Sequence, residues 1–196
     1  IYDKSWIQKT IETKLLNEFK MKISTSADIS YRILPAPHFL IKNSKILFKD
    51  NKNQKSMAKV KNLKIFLSQK NFFDKEKITF IDLIIDNANF SLLRNELSML
   101  NASSNVNFSN KEIKINNSNF FLKDNIGEII TIIKINKANL FFDDNKKLNI
   151  LKLKGSIFGI PFTFDFKSKN DSIINKIFNF KAKSLKLNIL NEFIVE

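Results

Sequence analysis

Four ten-residue segments share a pattern of apolar and small residues that constrains the fold more than any other feature of the chain. In each segment an aliphatic residue is followed by a small residue three positions later and by apolar residues five and seven positions later. The segments begin at Ile41, Ile85, Ile115 and Ile135, and looser copies begin at Val60 and Leu153. Because successive copies start 18 to 30 residues apart, each copy corresponds to one long strand plus a turn.

The alternation of apolar residues changes phase inside each copy. In the second copy the apolar positions are odd-numbered up to Ile85 and even-numbered from Ala88 onward. In a regular strand this change would move the apolar side chains to the opposite face of the sheet. A β-bulge would instead bend the strand and keep them on one face. The same change occurs at Lys42-Asn43, Asn116-Asn117, Asn136-Lys137 and Lys154-Gly155.

Two kinds of sheet are compatible with these changes of phase. Bends that lie side by side in neighbouring strands would fold one long antiparallel sheet into a trough. A tight two-residue turn at each site would instead produce a meander of short strands. We favour the bends, because the Asn-Ser and Asn-Ala pairs at these sites lack the Gly that two-residue hairpin turns prefer.

The beginning of the chain follows a helical period, unlike the rest. Between Asp3 and Phe19, apolar residues recur at every fourth position, and others widen the stripe: Ile7, Ile11, Leu15 and Phe19, with Trp6 and Leu16. After Met21 the period changes to two, which is typical of strands. We therefore predict a single mainly β domain over residues 1–196, with an amphipathic helix within residues 1–20 and a long, bent antiparallel sheet over residues 21–196.

The composition leaves little material for catalysis. The chain has no cysteine, one histidine, 3 Gly and 3 Pro, and it contains none of the common nucleophile, metal or phosphate-binding motifs. The acidic pairs Asp74/Glu76 and Asp143/Asp144 lie in polar turn segments. His38 lies in a connection between strands, where we expect it to be exposed. We therefore predict that the protein is not an enzyme and uses no metal or cofactor.

The formal net charge of +14 has two interpretations. It would suit an anionic partner such as nucleic acid or lipid head groups. It also fits a chain-wide compositional bias, because Lys, Asn, Ile and Phe are abundant whereas Gly, Ala, Pro and Arg are scarce. Arg32 and Arg94 are the two arginines, and the phenylalanines mostly alternate within apolar strands. We therefore predict no specific nucleic-acid binding.

The apolar face of the predicted sheet is the candidate functional site. A single bent sheet with one short helix cannot bury the whole face, which could then hold the acyl chains of a phospholipid or another lipid. The alternative is a closed β-sandwich, a structural or adhesion module in which the same residues form the core. The candidate residues are Ile81, Leu83, Ile85, Phe90, Leu92, Ile113, Ile115, Phe120, Leu122, Ile133, Ile135, Leu140, Phe142, Phe158, Ile160 and Phe162.

Several segments of the chain resemble the AsmA-like family of bacterial envelope proteins. The residues that carry the resemblance are the Ser5-Trp6-Ile7 motif of the helix, the segment 23–37 that ends in Leu-Pro-Ala-Pro, the strands over 60–67 and 78–92, and the segment 153–162. The chain departs from the family pattern at Thr25 and Ser26, where the family often has Gly.

The resemblance implies a non-enzymatic protein with a repeating β-groove, of the bridge-like lipid transfer type. It implies a taco-like sheet in the periplasm of a Gram-negative bacterium and an inner-membrane anchor just upstream of Ile1. The chain would be the N-terminal periplasmic part of a longer protein that acts in lipid transport and outer-membrane assembly. Tyr2 and Trp6 would then lie close to the membrane surface, where aromatic rings suit the interface.

Overall fold

The computed structural model contains one N-terminal helix and one large sheet. The described residues are 4–26, 28–47, 56–68, 79–96, 107–170 and 174–195. Helix α1 is Lys4–Phe19, and short 3-10 helices follow at Arg94–Glu96 and Lys183–Leu185. The strands are β1 (Lys22–Ser24), β2 (Ile29–Arg32), β3 (His38–Leu47), β4 (Ser56–Leu67), β5 (Phe80–Leu93), β6 (Ile113–Lys123), β7 (Ile129–Asp143), β8 (Leu148–Ile157), β9 (Ile160–Asn170), β10 (Ile174–Ala182) and β11 (Leu187–Val195).

The described strands all belong to one sheet. Its order follows the sequence from β3 to β11, and both β1 and β2 pair with the free edge of β3. Among the described strands, β5 and β6 pair in parallel and the other pairs are antiparallel. The predicted mainly β fold, a long bent sheet with an N-terminal helix, is confirmed. The parallel pair is a departure from the predicted antiparallel pairing.

The predicted bends lie side by side across neighbouring strands. Asn43, Asn87 and Asn117 have left-handed φ angles of 56°, 55° and 48°, which Asn adopts more readily than most residues. The ladder is interrupted where Asn43 meets Lys61, where Lys61 meets Asn87 and where Asn117 meets Asn136, and it resumes in the same register on either side. Each strand therefore keeps its apolar side chains on one face, and the sheet bends as a unit. The strands continue through the bend, so the meander of short strands does not form.

At the β7–β8 pair the bend takes the form of a bulge. The register shifts between Ile135 and Lys137, which leaves Asn136 without a partner on β8. Strand β8 approaches β7 so closely here that a Cβ atom on Gly155 would collide with the carbonyl oxygen of Lys134. This close approach of two backbones requires a glycine at position 155.

Small residues line the inside of the bend. Ser44, Ala88, Ser118 and Ala138 are each at most 2% exposed. Side chains on the concave side of a bend converge, so larger residues at these positions would overlap. Ser118 also replaces a missing ladder bond, because its Oγ accepts a hydrogen bond from the Ala88 N–H (3.0 Å) and donates one to Asn116 O (2.7 Å).

Helix α1 packs against the concave side of the sheet near β3–β5. Ile11, Leu15 and Phe19 are at most 2% exposed, whereas Leu16, which the sequence placed in the apolar stripe, is 44% exposed. Burial of each such aliphatic or aromatic side chain contributes about 1.5–3 kcal/mol. The helix ends at Lys20, whose left-handed φ angle of 58° stops the helical hydrogen bonds.

Ser44 and Ser118 occupy equivalent places in two copies of the repeat, yet we expect opposite effects when each is replaced by alanine. Ser118→Ala removes the acceptor of the buried Ala88 N–H, which should lower the free energy of unfolding by about 1–3 kcal/mol. Ser44 Oγ is buried and has no hydrogen-bond partner among the described residues, so Ser44→Ala should be neutral or stabilising. Urea unfolding measures the free energy of unfolding of each variant. Equal decreases for Ser44→Ala and Ser118→Ala would show that the hydrogen bonds of Ser118 add no stability.

Candidate apolar groove

One row of apolar side chains crosses the whole sheet on its concave side, which we call the inner face. The register connects the members of this row from one strand to the next, from β3 to β11. They are Ile41, Leu63, Ile85, Ile115, Ala138, Leu153, Phe164, Phe180 and Ile189. The inner face is therefore a continuous apolar surface about nine strands wide.

The exposure of this row increases from one end of the sheet to the other. Ile41, Leu63 and Ile85 are 0% exposed, Ile115 is 8% exposed and Ile189 is 43% exposed. Helix α1 packs over the β3–β5 end. At the β9–β11 end the 3-10 helix Lys183–Leu185 contacts β9 and β11 where Phe162 and Ala182 are buried, and the inner face is exposed farther along, at Ile189 and Phe193. The face is therefore sealed core at one end and an open apolar surface at the other.

Phenylalanines form most of the open end. The ring centres of Phe162 and Phe180 are 5.0 Å apart, those of Phe164 and Phe178 are 6.2 Å apart, and those of Phe178 and Phe193 are 5.5 Å apart. These rings meet at the spacing of favourable aromatic pairs. We call these five residues, together with Phe166 opposite Phe178, the phenylalanine cluster. It presents aromatic carbon with no hydrogen-bonding group, so it can attract a ligand only by burying apolar surface.

The structure brings fourteen of the sixteen predicted candidate residues to the inner face. Eight of them are buried: Leu83, Ile85, Phe90, Leu92, Ile113, Ile115, Ile135 and Phe162. Six are half-buried: Phe120, Leu122, Ile133, Leu140, Phe142 and Ile160. Half of the predicted set is therefore core, and the part that a ligand could reach lies from β6 onward.

Two predicted residues lie elsewhere. Ile81 is 48% exposed, because the β4–β5 register shifts between Ile65 and Leu67 and turns Phe80 inward instead. Phe158 is 79% exposed at the tip of the β8–β9 hairpin. The repeat pattern predicts another bent strand around Phe158, but the chain makes a tight two-residue turn there.

Apolar residues of the last two strands also belong to the inner face, although none of them was among the predicted candidates. Phe178, Phe180, Ile189 and Phe193 share the inner face with the phenylalanines of β9. Their alternation is visible in the sequence, but Lys176 interrupts it on the same face and these strands do not carry the small residue of the repeat. A search for period two alone would have found them.

The C-terminal end of helix α1 is held against the start of strand β5 by polar contacts. Lys111 Nζ forms an ion pair with the Glu18 carboxylate, donates to Phe80 O at 2.5 Å and lies 6.0 Å from the centre of the Phe19 ring. Ser109 Oγ donates to Glu18 O at 2.6 Å. These contacts join the helix to the segment that connects β5 with β6.

A polar cluster on the outer face fixes the start of β6. Lys114 Nζ lies 2.9 Å from Asp82 Oδ2 and 3.0 Å from Glu112 Oε2, and Asn139 Nδ2 donates to Glu112 Oε1 at 2.6 Å. Burial lowers the pKa of Lys114, but its hydrogen bonds and charge interactions with both carboxylates outweigh this and raise the pKa above its ordinary value. The cluster therefore stabilises the fold below the ordinary pKa of lysine and loses its effect as the pH rises through the raised value.

His38 departs from its predicted exposure. Its side chain is 5% exposed, its ring stacks on the Phe66 ring at 5.0 Å, and its Nδ1–H donates to Ala36 O at 2.8 Å. His38 is thus a packed structural residue of β3. Asp143 Oδ1 accepts from the backbone N–H groups of Asn145 and Lys146, both at 3.1 Å, which places it in a turn as predicted.

Metal binding, membrane-spanning helices and the remaining predicted residues can be considered for the described part of the chain. Within those residues, no cluster of three or more His, Asp or Glu side chains is placed to bind a metal ion. Among the helices described, none combines the length and the apolar character needed to cross a membrane. Tyr2, Asp74 and Glu76 lie outside the described residues, and so does the side chain of Trp6.

Comparison with known proteins does not assign the chain to a family. No protein-family model and no curated protein matches it. The resemblance to the AsmA-like family therefore stays a prediction that depends on the residues quoted above.

Lys111→Met should loosen helix α1 while leaving the open end of the sheet intact. The variant keeps most of the apolar stem but loses the charge, so the hydrogen bonds to Glu18 and Phe80 disappear, at a cost of about 1–3 kcal/mol. We expect faster hydrogen exchange in α1 and in the first residues of strand β5, with unchanged exchange in β9 and β10. Lys9→Met is the control, since Lys9 is exposed. Equal effects of the two variants would contradict a fastening role for Lys111.

Proposed function

We propose that this protein is a non-enzymatic lipid-binding protein whose inner face shields the acyl chains of a phospholipid or a similar lipid. The ligand would lie across the phenylalanine cluster and the neighbouring half-buried residues of β7 and β8. The head group would stay in water, because the inner face offers it few polar partners.

The observation that carries this proposal is the exposure gradient along one uninterrupted apolar row. The row is 0% exposed at Ile41 and 43% exposed at Ile189, although the character of its side chains does not change. An isolated domain gains nothing from leaving such a surface in water, and exposed apolar patches of this kind mark binding sites. Each methylene group that is moved from water onto this surface contributes about 0.8 kcal/mol.

The family resemblance extends the proposal from binding to transport. On that basis, the protein conducts phospholipid across the periplasm of a Gram-negative bacterium and takes part in outer-membrane assembly. An inner-membrane anchor would precede Ile1, and Tyr2 and Trp6 would lie near the membrane surface. Nothing in this extension requires a catalytic residue, a metal or a cofactor.

A structural or adhesion module is the second candidate. The sealed end of the sheet favours it, because Leu63, Leu83 and Ile85 are 0% exposed and behave as ordinary core. In this case the open end would be covered by protein, and lipid would have no access to it. The two candidates differ in whether lipid occupies the phenylalanine cluster.

Phe178→Asp tests the proposal at the open end of the groove. The ring of Phe178 contacts those of Phe164 and Phe193, so a carboxylate there would face the acyl chains. We expect co-purified phospholipid, measured by native mass spectrometry and in an organic extract, to fall roughly tenfold or more, because burial of an unpaired charge is unfavourable. Leu190→Asp is the matched control, since Leu190 is 70% exposed on the opposite face of β11.

Phe178→Leu separates loss of apolar surface from damage to the fold. It should retain lipid, as should Leu190→Asp, while a Phe178→Asp variant with an unchanged circular dichroism spectrum should not. A parent protein that carries no lipid, together with a Phe178→Asp variant that unfolds, would mean that this end is also sealed. The structural module would then replace the lipid-binding proposal.

A further inference from the structure

Lysines without carboxylate partners line the outer face of the bend between β7 and β10. Lys137 pairs directly with Lys154, and Thr163 links this pair to Lys181 in the same cross-strand row. Lys134 lies on the same face of β7. All four lysines are exposed, and within the described residues none of them forms an ion pair. We call these four residues the basic ridge.

The arrangement of the basic ridge is unfavourable for the isolated chain. Like charges directly opposite each other on neighbouring strands destabilise a sheet, and Lys137 and Lys154 form such a pair. A general excess of lysine accounts for their number but not for the direct pairing of Lys137 with Lys154. The nearest carboxylate in this row, Asp165, faces Lys152 and forms no ion pair with the four lysines among the described residues. An anionic surface that approached this face would remove the repulsion.

Exposed apolar side chains continue from the basic ridge toward the start of β7. Ile130 is 49% exposed, Ile132 is 40% exposed and Phe158 is 79% exposed. Together with Lys134 they line one shallow concavity of about 360 Å³ on the outer face. We call Ile130, Ile132 and Phe158 the apolar tip. An apolar patch rimmed by charged residues is typical of an interaction surface.

Phe158 occupies a backbone position that suits other residues better. Phe158 and Gly159 form the two-residue turn between β8 and β9, with φ angles of 52° and 79°. Two positive φ angles are typical of a type I′ turn, in which Asn is preferred at the first position. A bulky residue with a positive φ angle is a conformational outlier. Folding stability therefore does not explain why an exposed phenylalanine stands here.

We propose that the basic ridge and the apolar tip together form a docking surface for a lipid bilayer that contains anionic lipid. The lysines face the head groups, and Phe158 and the two isoleucines enter the interface between head groups and acyl chains. The phenylalanine in the strained turn is then retained for binding. This surface lies on the face of the sheet opposite the groove, so the inference does not depend on the proposed function.

A bilayer fits this surface better than nucleic acid does. Proteins that bind single strands place aromatic rings among basic residues so that bases can stack on them. The two isoleucines of the tip cannot stack, and neither Arg32 nor Arg94 belongs to the ridge. Apolar side chains next to lysines are instead the combination that binds membrane interfaces.

Flotation with vesicles tests the basic ridge. The parent chain should bind phosphatidylcholine vesicles that contain phosphatidylglycerol and should bind pure phosphatidylcholine vesicles weakly. Lys137→Gln with Lys154→Gln should weaken binding to the anionic vesicles by about 30-fold, from the usual contribution of a lysine near anionic lipid. Lys146→Gln with Lys147→Gln is the matched control, because both are exposed in the turn at the other end of the β7–β8 hairpin. High salt should abolish the difference.

Phe158→Asn tests the apolar tip and separates stability from binding. Asn suits the first position of the turn, so the melting temperature should rise by about 2–4 °C, while vesicle binding should weaken by roughly tenfold because the apolar contact is lost. A purely structural phenylalanine would give the opposite result, with lower stability and unchanged binding.

Three outcomes would overturn the inference. The first is a parent chain that does not bind anionic vesicles. The second is an equal loss for the two lysine pairs, which would reduce the effect to net charge. The third is binding to a single-stranded RNA homopolymer as tight as to vesicles and unchanged by Phe158→Asn, which would indicate a polyanion site instead of a bilayer site.

Discussion

The in-register bend is the constraint on which the rest of this structure depends. Neighbouring strands each have one residue that is left out of the ladder pairing, and these residues lie side by side across the sheet. Asn43, Asn87 and Asn117 adopt left-handed φ angles at these positions. Because the bend occurs at matched positions, the apolar side chains on both arms of the sheet face the same concave space. The need for small side chains inside the bend and for Gly155 on β8 follows from the same geometry.

Both ends of the concave face carry apolar side chains, but helix α1 packs over only one of them. The same row of apolar residues begins under helix α1 and ends beside uncovered strands. At the covered end, close packing makes the side chains part of the core, where a ligand has no room. At the other end Phe162 is buried, four phenylalanines of the cluster are half-buried and Phe193 is 46% exposed, so part of the apolar surface stays accessible. One sheet can therefore combine a folding core with a binding surface.

The parts of this fold that follow from local pattern could be predicted, and the parts that follow from pairing could not. The change of phase at Asn87 and Asn117 predicts a bend, because only a bend keeps the flanking apolar residues on one face. Nothing local predicts that β5 pairs with β6 in parallel. The exposure of Ile81 was missed because it depends on a register shift against β4, and that of Phe158 because a turn with a bulky first residue gives no hairpin signal.

The parallel pair has a further consequence for how this molecule can open. On either side of it, strands that are adjacent in the sheet are also adjacent or nearly so in the chain, so each half forms from local contacts. Strands β5 and β6 instead meet through the long connection from Arg94 to Glu112. The sheet is thus two locally assembled units joined by this non-local strand pair and by the contacts of Glu18 with Ser109 and Lys111 beside it, and cooperative opening of a protein often follows such boundaries. The helix-capped half and the phenylalanine-bearing half are the units that this boundary would separate.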